Sequence, residues 1–556
     1  MCMKKILYIL LSSVVIFNCV ACNDDFDPKI YGILTKENFP QSESDFESLM
    51  MTCYLPFINA FTYTLYATDY NQHPWYIPSG GALRHFDATS DLEAPWVSGV
   101  WTQNYRMLSE ANFSLAVYYP RNMLDDETPS HYPKTREVTR FTEIIASILN
   151  APANAISAEK REEFLGEARM CRGLQMYNLL HVYGPVPLLV DPSKINDLDA
   201  LRNAERPTID EITDWIYDDF QYAIDHIAEV QPNQGRFNKD FARVCLMRHC
   251  LNEGYHKDGY YQKALDLFNE LNTGKYRLFT SGTNPYKEMF RECNDWNCEI
   301  IMAITCDATT SQGARTEGGI NPFVMLATPW NSAKKDDLGN PTPFAISGPG
   351  WGMTFNLSPK FYNTFEADDL RKESIITRYY TVGGEWWGPA DIGKKAEWDG
   401  YIPYKYPAET GTAPVFGNDF PVARWADVLL MFAEAEVRKT GAAPSADAVN
   451  AVNEVRARAG LGPLQTKYTD TAEHFLDALL TERGHELWFE GMRKIDLIRF
   501  NQYAVRVKKC KGKLPTHQYM PIPNYAVQEA EAVGKHLEQT FSRPGWDDDE
   551  AAARNL

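Results

Sequence analysis

The chain has few positive charges for its length. Its 55 lysines and arginines are outnumbered by 74 aspartates and glutamates, which gives a formal net charge of −19 over 556 residues. An acidic surface repels nucleic acids and anionic membrane surfaces, so both are disfavoured as partners. The charge balance favours a neutral or weakly charged ligand instead.

The short motifs of common catalytic classes are also missing. The sequence contains no G-x-S-x-G, no Walker A loop and no dinucleotide-binding fingerprint. His485 and Glu486 are adjacent, but position 489 is Phe, so the zinc-protease motif H-E-x-x-H is not formed. The acid-rich stretch KKDDLGN is a conceivable calcium loop without EF-hand spacing, and we predict no cofactor.

Cysteines at redox or metal-binding spacing are absent as well. Most of the 11 cysteines lie after Cys22, and none of these forms a C-x-x-C pair. Cys293 and Cys298 could form a disulfide in an oxidising compartment. Scattered buried thiols are the alternative interpretation.

One long apolar run is present, and it lies at the N-terminus. Lys4 and Lys5 precede the nearly unbroken apolar run Ile6–Phe17. A membrane-spanning helix needs about 20 apolar residues, so this shorter run is typical of a signal peptide, which we assign to residues 1–21. No later run approaches the length of a span, so we expect the rest of the chain to be soluble.

The residues after this run have the pattern of a bacterial lipoprotein. Small Ala21 precedes Cys22, although Cys19 replaces the usual Leu three residues before that cysteine. We predict that Cys22 is acylated and that residues 22–40 form a lipidated tether, because several acyl chains anchor a protein stably. The acidic run Asn23–Asp27 resembles a signal for export to the outer cell surface. Ordinary secretion and a plain solvated tether are the respective alternatives.

Helical patterns dominate two regions, residues 41–302 and 421–556. In EKREEFLGEARMCRGLQMYNLLHVYG, apolar residues recur at steps of three and four, and the pattern stops at Gly184-Pro185. Asp470 with Glu473 predicts a capping box at the start of a later helix. The helices resemble stacked pairs without a strict period of about 34 residues, so we interpret them as degenerate repeats.

Residues 303–420 break the helical pattern. Glycine and proline are frequent there, and short β-like runs such as IITRYYTV appear. Disordered loops avoid aromatic residues, so the tryptophans of this region predict an ordered and functional part. The candidate ligand contacts here are Trp330, Trp351, Trp386, Trp387 and Trp398.

The loop from Asp69 to Trp101 has a similar composition. Sugars stack their apolar faces on aromatic rings and hydrogen-bond to polar side chains at the rim, and the loop supplies both residue types. For each tryptophan, packing that holds a long loop together is the alternative to ligand contact. Trp215, Trp425 and Trp488, like Trp101, lie in helical patterns and are predicted to be core. The candidate contacts of this loop are Trp75, Tyr76, Arg84, His85, Asp87 and Trp96.

Three carboxylates at helical spacing are the main candidates for catalysis. Glu482, Glu486 and Glu490 follow one another at intervals of four residues. Glycoside hydrolases use two carboxylates about 5 to 9.5 Å apart. Carboxylates on a single helix do not easily flank a substrate bond, and arginines interleave with these three. We therefore predict salt-bridge networks and no enzymatic activity.

Nine sequence blocks, in order along nearly the whole chain, resemble the SusD/RagB family of outer-membrane nutrient-binding lipoproteins. The most specific are RWADVLLMFAEA, NEVRARAGL, LLTERGHELWFEGMRKIDLIRF and YMPIP. WTQNYRMLSEAN and GEARMCRGLQMYNLLHVYGPVPLL also match, the latter with Gly173 where alanine is common. QTFSRPGW resembles the closing motif of the family, with Thr540 in place of the usual Asn.

The resemblance implies a mainly α-helical fold. Tetratricopeptide-like helix pairs would form the scaffold, and an irregular loop-rich part with short β segments would bind the ligand. It also implies capture of oligosaccharide or polysaccharide and delivery to a SusC-like TonB-dependent transporter, from a lipid-anchored position on the extracellular side of the outer membrane. Peptide or another nutrient is the alternative cargo, and a surface hydrolase is the third hypothesis.

Overall fold

The structure is a computed structural model of the chain. It describes residues 39–57, 76–78, 134–307, 321, 327–350, 355–395, 398, 400–409, 416–511, 514–515, 518–519, 527, 530–538 and 541–556. Statements about structure below refer to these residues.

Helices are the dominant element, which confirms the predicted mainly α-helical class. The helices are α1 (Glu43–Met51), α2 (Lys134–Leu149), α3 (Ala158–Tyr183), α4 (Leu198–Arg202), α5 (Ile209–His226), α6 (Lys239–Glu253), α7 (Tyr260–Leu271), α8 (Pro285–Met289), α9 (Pro359–Tyr362), α10 (Trp425–Thr440), α11 (Ala446–Arg458), α12 (Ala472–Leu487), α13 (Arg493–Arg499), α14 (Tyr503–Lys511) and α15 (Trp546–Arg554). Short 3₁₀ helices lie at Thr52–Phe57, Pro192–Lys194, Glu292–Asn294, Leu370–Ser374, Pro389–Asp391 and Thr466–Tyr468.

The N-terminal helices stack in succession. α2 packs on α3, α3 on α5, α5 on α6, and α6 on α7. At Gly173 the helices α3 and α5 approach so closely that a Cβ atom would lie 3.0 Å from Cβ of Asp219. The neighbouring Arg172 donates from Nε to Oδ2 of Asp219 over 2.8 Å. This close approach accounts for the glycine at position 173.

Local signals fix the ends of these helices. Ser157 caps α3 by accepting a hydrogen bond from the backbone N–H of Lys160, and the helix ends where Gly184 has a φ of 77°. The predicted stop at Gly184-Pro185 is therefore confirmed. Thr208 and Glu211 form a capping box at the start of α5, which satisfies two backbone donors that the first turn leaves free.

Short strands supply the rest of the regular structure. They are β1 (Tyr76–Pro78), β2 (Ile300–Ile304), β3 (Phe355–Leu357), β4 (Ile375–Ile376), β5 (Tyr379–Tyr380), β6 (Trp386–Trp387), β7 (Ile402–Pro403) and β8 (Phe420–Arg424). Each pairs antiparallel with one partner: β1 with β3, β2 with β8, β4 with β7, and β5 with β6.

The pairing of β2 with β8 brings together the two ends of the loop-rich middle region. Ile304 lies opposite Phe420, and both strands are entirely buried. The region between these strands is thus inserted into the helical scaffold at a single antiparallel clasp. We call it the insertion (residues 305–419). The predicted boundaries of all five sequence regions, from the signal peptide to the C-terminal helices, stay predictions.

The largest hydrophobic cluster joins the insertion to both helical regions, with Phe220, Tyr379 and Leu430 among its members. Trp425 and Trp488 are buried in it, as predicted, and Trp215 packs against it half-buried. Trp101 lies outside the described residues.

Buried charges also connect the insertion to the C-terminal helices. Arg371 donates to Glu482 of α12 over 2.6 Å, and the ammonium of Lys405 pairs with Glu490. Arg424 of β8 donates to Glu490 and to Glu486 over 2.7 and 2.6 Å. None of these side chains is more than a few per cent exposed. The insertion is therefore held on the scaffold by paired charges as well as by apolar contacts.

Within the described ranges, no helix is long and apolar enough to cross a membrane, and no group of three or more His, Cys, Asp or Glu side chains is arranged to hold a metal ion. Cys293 is exposed and Cys298 half-buried, both as free thiols. Most of the other described cysteines are buried thiols: Cys53, Cys171, Cys245 and Cys250.

Candidate ligand-binding surface

Several of the predicted site residues lie outside the described residues. These are the lipidation candidate Cys22 and the candidate ligand contacts Trp75, Arg84, His85, Asp87, Trp96 and Trp351. For Tyr76 the structure describes the backbone, which begins β1. The described candidates are Trp330, Trp386, Trp387 and Trp398, all in the insertion.

Strand β1 links the loop from Asp69 to Trp101 to the insertion. Tyr76 lies opposite Leu357, and Pro78 lies opposite Phe355. Leu357 is also bridged to Tyr401 near β7, with backbone hydrogen bonds of 2.7 and 2.9 Å. Candidate ligand contacts were predicted in the loop Asp69–Trp101 and in the insertion. The pairing of β1 with β3 joins these two segments.

A tight hairpin presents two tryptophans. β5 and β6 pair with Tyr379 opposite Trp387 and Tyr380 opposite Trp386. The turn between them closes with a hydrogen bond from the backbone N–H of Thr381 to the carbonyl of Glu385 over 2.9 Å. Residues directly opposite on an antiparallel pair point to the same side, so the hairpin has one Tyr379/Trp387 face and one Tyr380/Trp386 face.

The Tyr379/Trp387 face is directed into the protein. Tyr379 is buried, and its ring makes edge contacts with Trp387 at 5.7 Å and with Trp398 at 5.2 Å between centroids. Trp398 has no exposed surface, and its indole N–H donates to the carbonyl of Gly388 over 2.8 Å. A ligand cannot reach the ring of Trp398 here. This position differs from the prediction of a ligand contact, because Trp398 packs beneath the hairpin against Tyr379.

The Tyr380/Trp386 face is directed to solvent. Trp386 is 41% exposed, and its ring centroid lies 5.3 Å from that of Tyr380. The guanidinium of Arg378 lies 4.2 Å from the Trp386 ring centroid, a cation–π distance. The Trp386 indole N–H donates to Oδ1 of Asp337 over 3.3 Å. These contacts fix the ring while leaving part of it open.

A second exposed tryptophan lies near the hairpin. Trp330 is 48% exposed and precedes a short segment that pairs with the hairpin. In that segment the backbone N–H of Ala333 donates to Tyr380 over 2.9 Å, and Asn331 accepts from the N–H of Val382 over 2.8 Å. We call the set Trp330, Arg378, Tyr380 and Trp386 the aromatic surface.

Trp387 lies at the edge of the hairpin. It is half-buried, and its indole N–H donates to Oε2 of Glu385 over 3.2 Å. Lys395 completes the arrangement, with Nζ 2.9 Å from the same carboxylate and 5.6 Å from the Trp387 ring centroid. Hydrogen bonds from Lys395 and Trp387 lower the pKa of Glu385, so the carboxylate stays ionised at neutral pH.

The three carboxylates considered for catalysis are held in ion pairs. Glu486 is fully buried and is contacted by Arg371, Arg424 and Arg458. Burial would raise the pKa of Glu486, but these three guanidiniums hold it well below its usual range. A catalytic acid needs a pKa near the operating pH and access to substrate, and Glu486 has neither. The predicted salt-bridge network is confirmed.

A second buried network lies beside the first. Arg483 joins Asp427 of α10 to Asp496 of α13, with both distances 2.9 Å. Arg499 pairs with Glu434 and Asp496 over 2.7 and 2.6 Å. Burial acts to raise the pKa values of Asp427 and Glu434, but the neighbouring arginines outweigh it and lower both to about 2. These charges therefore remain ionised and paired at neutral pH.

The sequence reasoning missed the polar partners of the exposed tryptophan. Arg378 and Tyr380 are two residues apart in the run IITRYYTV, which is the spacing of one strand face. This spacing is visible in the sequence, but it places the two residues on one face only if RYY is known to begin a strand of a hairpin. Asp337 is distant in sequence, so no local pattern could have linked it to Trp386.

These features define a class of protein: a stacked helix-pair scaffold, locked by buried ion pairs, that carries an inserted aromatic surface. The chain belongs to the SusD family, whose model matches residues 241–538. A second family model, described as starch-binding associating with outer membrane, matches residues 98–251.

Known relatives have similar length and fold. The SusD-like protein P25 of Formosa agariphila is 24% identical over 587 aligned residues, which cover 98% of this chain and 100% of that protein. A solved laminarin-binding SusD-like protein matches with a TM-score of 0.65 at 18% identity, covering 91% of this chain and 100% of its own. Surface glycan-binding protein A from Bacteroides thetaiotaomicron, solved in complex with laminarihexaose, has a TM-score of 0.63 at 18% identity and covers 90% and 100%. These matches confirm the tetratricopeptide-like SusD fold.

Proposed function

We propose that this protein is a cell-surface glycan-binding lipoprotein. Cys22 anchors it to the outer membrane on the extracellular side. The aromatic surface captures oligosaccharide or polysaccharide and passes it to a SusC-like TonB-dependent transporter. The observation that carries the proposal is the exposure of Trp386, on an ordered hairpin, and of Trp330, next to a segment paired with that hairpin, in a SusD-family chain.

The physical argument is that of sugar stacking. A pyranose ring presents an apolar C–H face that packs on a flat indole, while its hydroxyls need polar partners at the rim. Trp386 supplies the flat ring, held in place by Asp337 and Arg378. The same two charged side chains are within reach of hydroxyls around a stacked sugar. The proposed role of this surface is therefore binding, as in the SusD family.

We propose that the loop from Asp69 to Trp101 completes the site. Pairing of β1 with β3 brings the backbone of Tyr76–Pro78 beside the insertion. We therefore propose that the aromatic and polar side chains of that loop, together with Trp351, contact the same ligand. The residues concerned are Trp75, Tyr76, Arg84, His85, Asp87 and Trp96.

A lipid tether suits moderate affinity. Holding the binder near the mouth of a transporter raises its effective concentration there, so transfer does not need tight binding. Fast release then remains possible. The names of similar proteins, including the laminarin-binding protein and the laminarihexaose complex, support a glycan as cargo.

The test is a binding screen of the purified protein against plant, microbial and host glycans, starting with laminarin and laminarihexaose. Each ligand is titrated by calorimetry against the parent chain and against Trp386→Ala and Trp330→Ala. A matched control is Tyr468→Ala, because Tyr468 is also exposed and has a lysine, Lys467, 4.7 Å from its ring centroid. We expect several-fold weaker binding for one or both tryptophan variants, since a stacking contact contributes about 0.5–1.5 kcal/mol, and no change for the control.

Other outcomes decide between the hypotheses. If the protein binds peptides and no glycan, the alternative hypothesis, in which the cargo is a peptide, replaces the glycan hypothesis. Equal loss in Trp386→Ala and Tyr468→Ala would reject the aromatic surface as the site. For the anchor and the transporter, Cys22→Ala should move the protein out of the membrane fraction, and affinity purification of the parent protein should recover an outer-membrane barrel.

A further inference from the structure

A basic pocket lies between the insertion, which contributes α9, and the C-terminal helices. It has a volume of about 200 Å³ and is formed by α9 and the turn after it, α12, the start of α13 and the end of α14. Its lining residues are Lys360, Phe361, Thr364, Thr481, His485, Arg493, Arg506 and Lys509. None of them belongs to the aromatic surface.

The charge of this pocket is opposite to that of the chain. Four of its side chains, those of Lys360, Arg493, Arg506 and Lys509, are cationic, whereas the whole chain has a net charge of −19. No acidic side chain lines the pocket. Arg506 forms an ion pair with Asp477 of α12, outside the lining. The cations thus outnumber the anions locally, although anions predominate elsewhere.

Both lysines of the pocket are available to a ligand. Lys360 and Lys509 are both exposed, and Nζ of Lys360 lies 3.4 Å from the backbone carbonyl of Lys509. Neither lysine has a carboxylate within ion-pair distance among the described residues. Both lysines line the same pocket without an acidic counterpart among its lining residues, an arrangement that a bound anion would stabilise.

Uncharged and buried polar groups complete the lining. Nε of Arg506 is buried and has no hydrogen-bond partner in the described part of the chain. Thr364 Oγ1 lies 2.8 Å from Nε2 of His485. Burial, and then the nearby arginines, lower the pKa of His485 well below its usual value, so the ring is neutral.

Oxyanions match these features. Sulfate, phosphate and carboxylate groups accept charge-assisted hydrogen bonds from lysine and arginine, and such bonds are stronger than neutral ones. We propose that this pocket binds an oxyanion through Lys360, Arg506 and Lys509, either as a free inorganic ion or as an acidic group carried by a saccharide. The site is separate from the aromatic surface, so it does not depend on the function proposed above.

The experiment measures binding of inorganic ions to the purified protein. Sodium sulfate and inorganic phosphate are titrated by calorimetry and by thermal shift, with sodium chloride at equal ionic strength as the reference. The test variant is Lys360→Gln/Lys509→Gln. The matched control is Lys439→Gln/Lys467→Gln, which removes two exposed lysines from α10 and from the turn before α12 and gives the same net charge.

We expect saturable binding of sulfate or phosphate to the parent chain and to the control variant. Affinity should fall at least tenfold in Lys360→Gln/Lys509→Gln, while its circular dichroism spectrum and its binding of neutral glycans stay unchanged. A sulfated or uronic-acid oligosaccharide that shows the same loss would identify a saccharide as the source of the oxyanion. Binding of the inorganic ions alone would identify a free-ion site.

Two results would overturn the proposal. One is the absence of any saturable effect of either oxyanion beyond that of chloride. The other is an equal loss of affinity in the two double variants, which would show a general effect of net charge. Failure of neutral glycans to bind would count against the aromatic surface alone, because the two measurements use different ligands and different variants.

Discussion

The sequence suggests two groups of functional candidates, three glutamates and a set of tryptophans, and the fold places members of the two groups in opposite environments. Glu482, Glu486 and Glu490 are buried, and each is paired with one or more cations. Trp330 and Trp386 are nearly half exposed. A buried charge with paired neighbours cannot be used in a reaction without leaving a cation unpaired, whereas an exposed ring can accept a ligand at little cost. In this chain, the charged motif holds the scaffold together, and two of the candidate tryptophans are open to solvent.

The largest effect should come from breaking the buried network at its centre. Glu486→Gln keeps the shape of the side chain but leaves Arg371, Arg424 and Arg458 without its charge. Removing one partner of a buried ion pair costs about 3–5 kcal/mol, and we expect the free energy of unfolding to fall by this amount in denaturant titrations.

A surface pair provides the control for that change. Glu550→Gln removes one partner of the i,i+4 pair with Arg554 on α15, and exposed pairs of this kind contribute little. We expect no measurable change in unfolding. A similar, small effect of Glu486→Gln would contradict the view that the network holds the insertion on the scaffold.

Two tryptophans of the insertion should separate stability from binding. Trp398→Ala removes a fully buried ring and should lower the free energy of unfolding by about 3–5 kcal/mol. Trp386→Ala removes an exposed ring and should lower it by about 1 kcal/mol or less. Denaturant unfolding and glycan titration of both variants test this contrast. Loss of binding without loss of stability in Trp398→Ala would show that the buried ring is a ligand contact after all.

The pH dependence of stability should reveal a carboxyl that behaves unlike those of the scaffold networks. Burial, and then the charge of Asp419, raise the pKa of Asp295 to about 8. Because the folded-state pKa lies above the unfolded value, this group contributes stability at low pH that is lost as the pH rises towards 8. Asp295→Asn mimics the protonated form, and its amide oxygen can still accept from the backbone N–H of Asp419, as Oδ1 does now over 3.2 Å.

The expected result concerns the difference between this variant and the parent protein. The stability advantage of Asp295→Asn should grow between about pH 4 and pH 8 and level off above pH 8. Using the difference removes the contribution of buried neutral histidines such as His181, which is common to both proteins. A difference that does not change with pH would show that Asp295 titrates normally.

The smallest effect should come from the cation at the aromatic surface. Arg378→Gln removes the guanidinium over Trp386, and exposed cation–π contacts contribute about 0.5–1 kcal/mol. We expect unfolding to be nearly unchanged, and quenching of tryptophan fluorescence by acrylamide to increase because the ring is less covered. Reduced quenching, or a loss of stability as large as that of Trp398→Ala, would contradict the proposed geometry.

Sequence patterns predicted the scaffold well because its signals are local. The end of α3 at Gly184 needed only a glycine followed by proline after a periodic helix. Salt bridges at Glu482 to Glu490 followed from their spacing among arginines. The start of α12 was misplaced by one residue: Thr471, not Asp470, is the N-cap, and its side chain accepts from the backbone N–H of His474. Both are good capping residues, so the sequence alone could not choose between them.

The aromatic surface was harder to predict because tertiary contacts decide which rings are exposed. Trp386 and Trp398 lie in similar glycine-rich surroundings in the sequence, yet one faces solvent and the other is buried against Tyr379. Strand alternation separates adjacent Trp386 and Trp387 only once the hairpin is known. The contact of Asp337 with Trp386 spans 49 residues of chain, so no window of local sequence contains it.

The antiparallel clasp of β2 and β8 has a consequence for how such a protein can change its ligand. Because Ile304 and Phe420 lie opposite each other, the segment between them leaves and re-enters the scaffold at neighbouring points. We infer that it can be exchanged as a cassette, with one length and composition replaced by another, while the helices stay as they are. The exchange is constrained by buried charge, since Arg371 and Lys405 lie within the cassette and pair with α12 and the residues just after it. A transplanted cassette that lacks these two cations would leave Glu482 with Arg456 and Glu490 with Arg424 as their remaining partners. We expect such a chimaera to be less stable, however well it binds its own ligand.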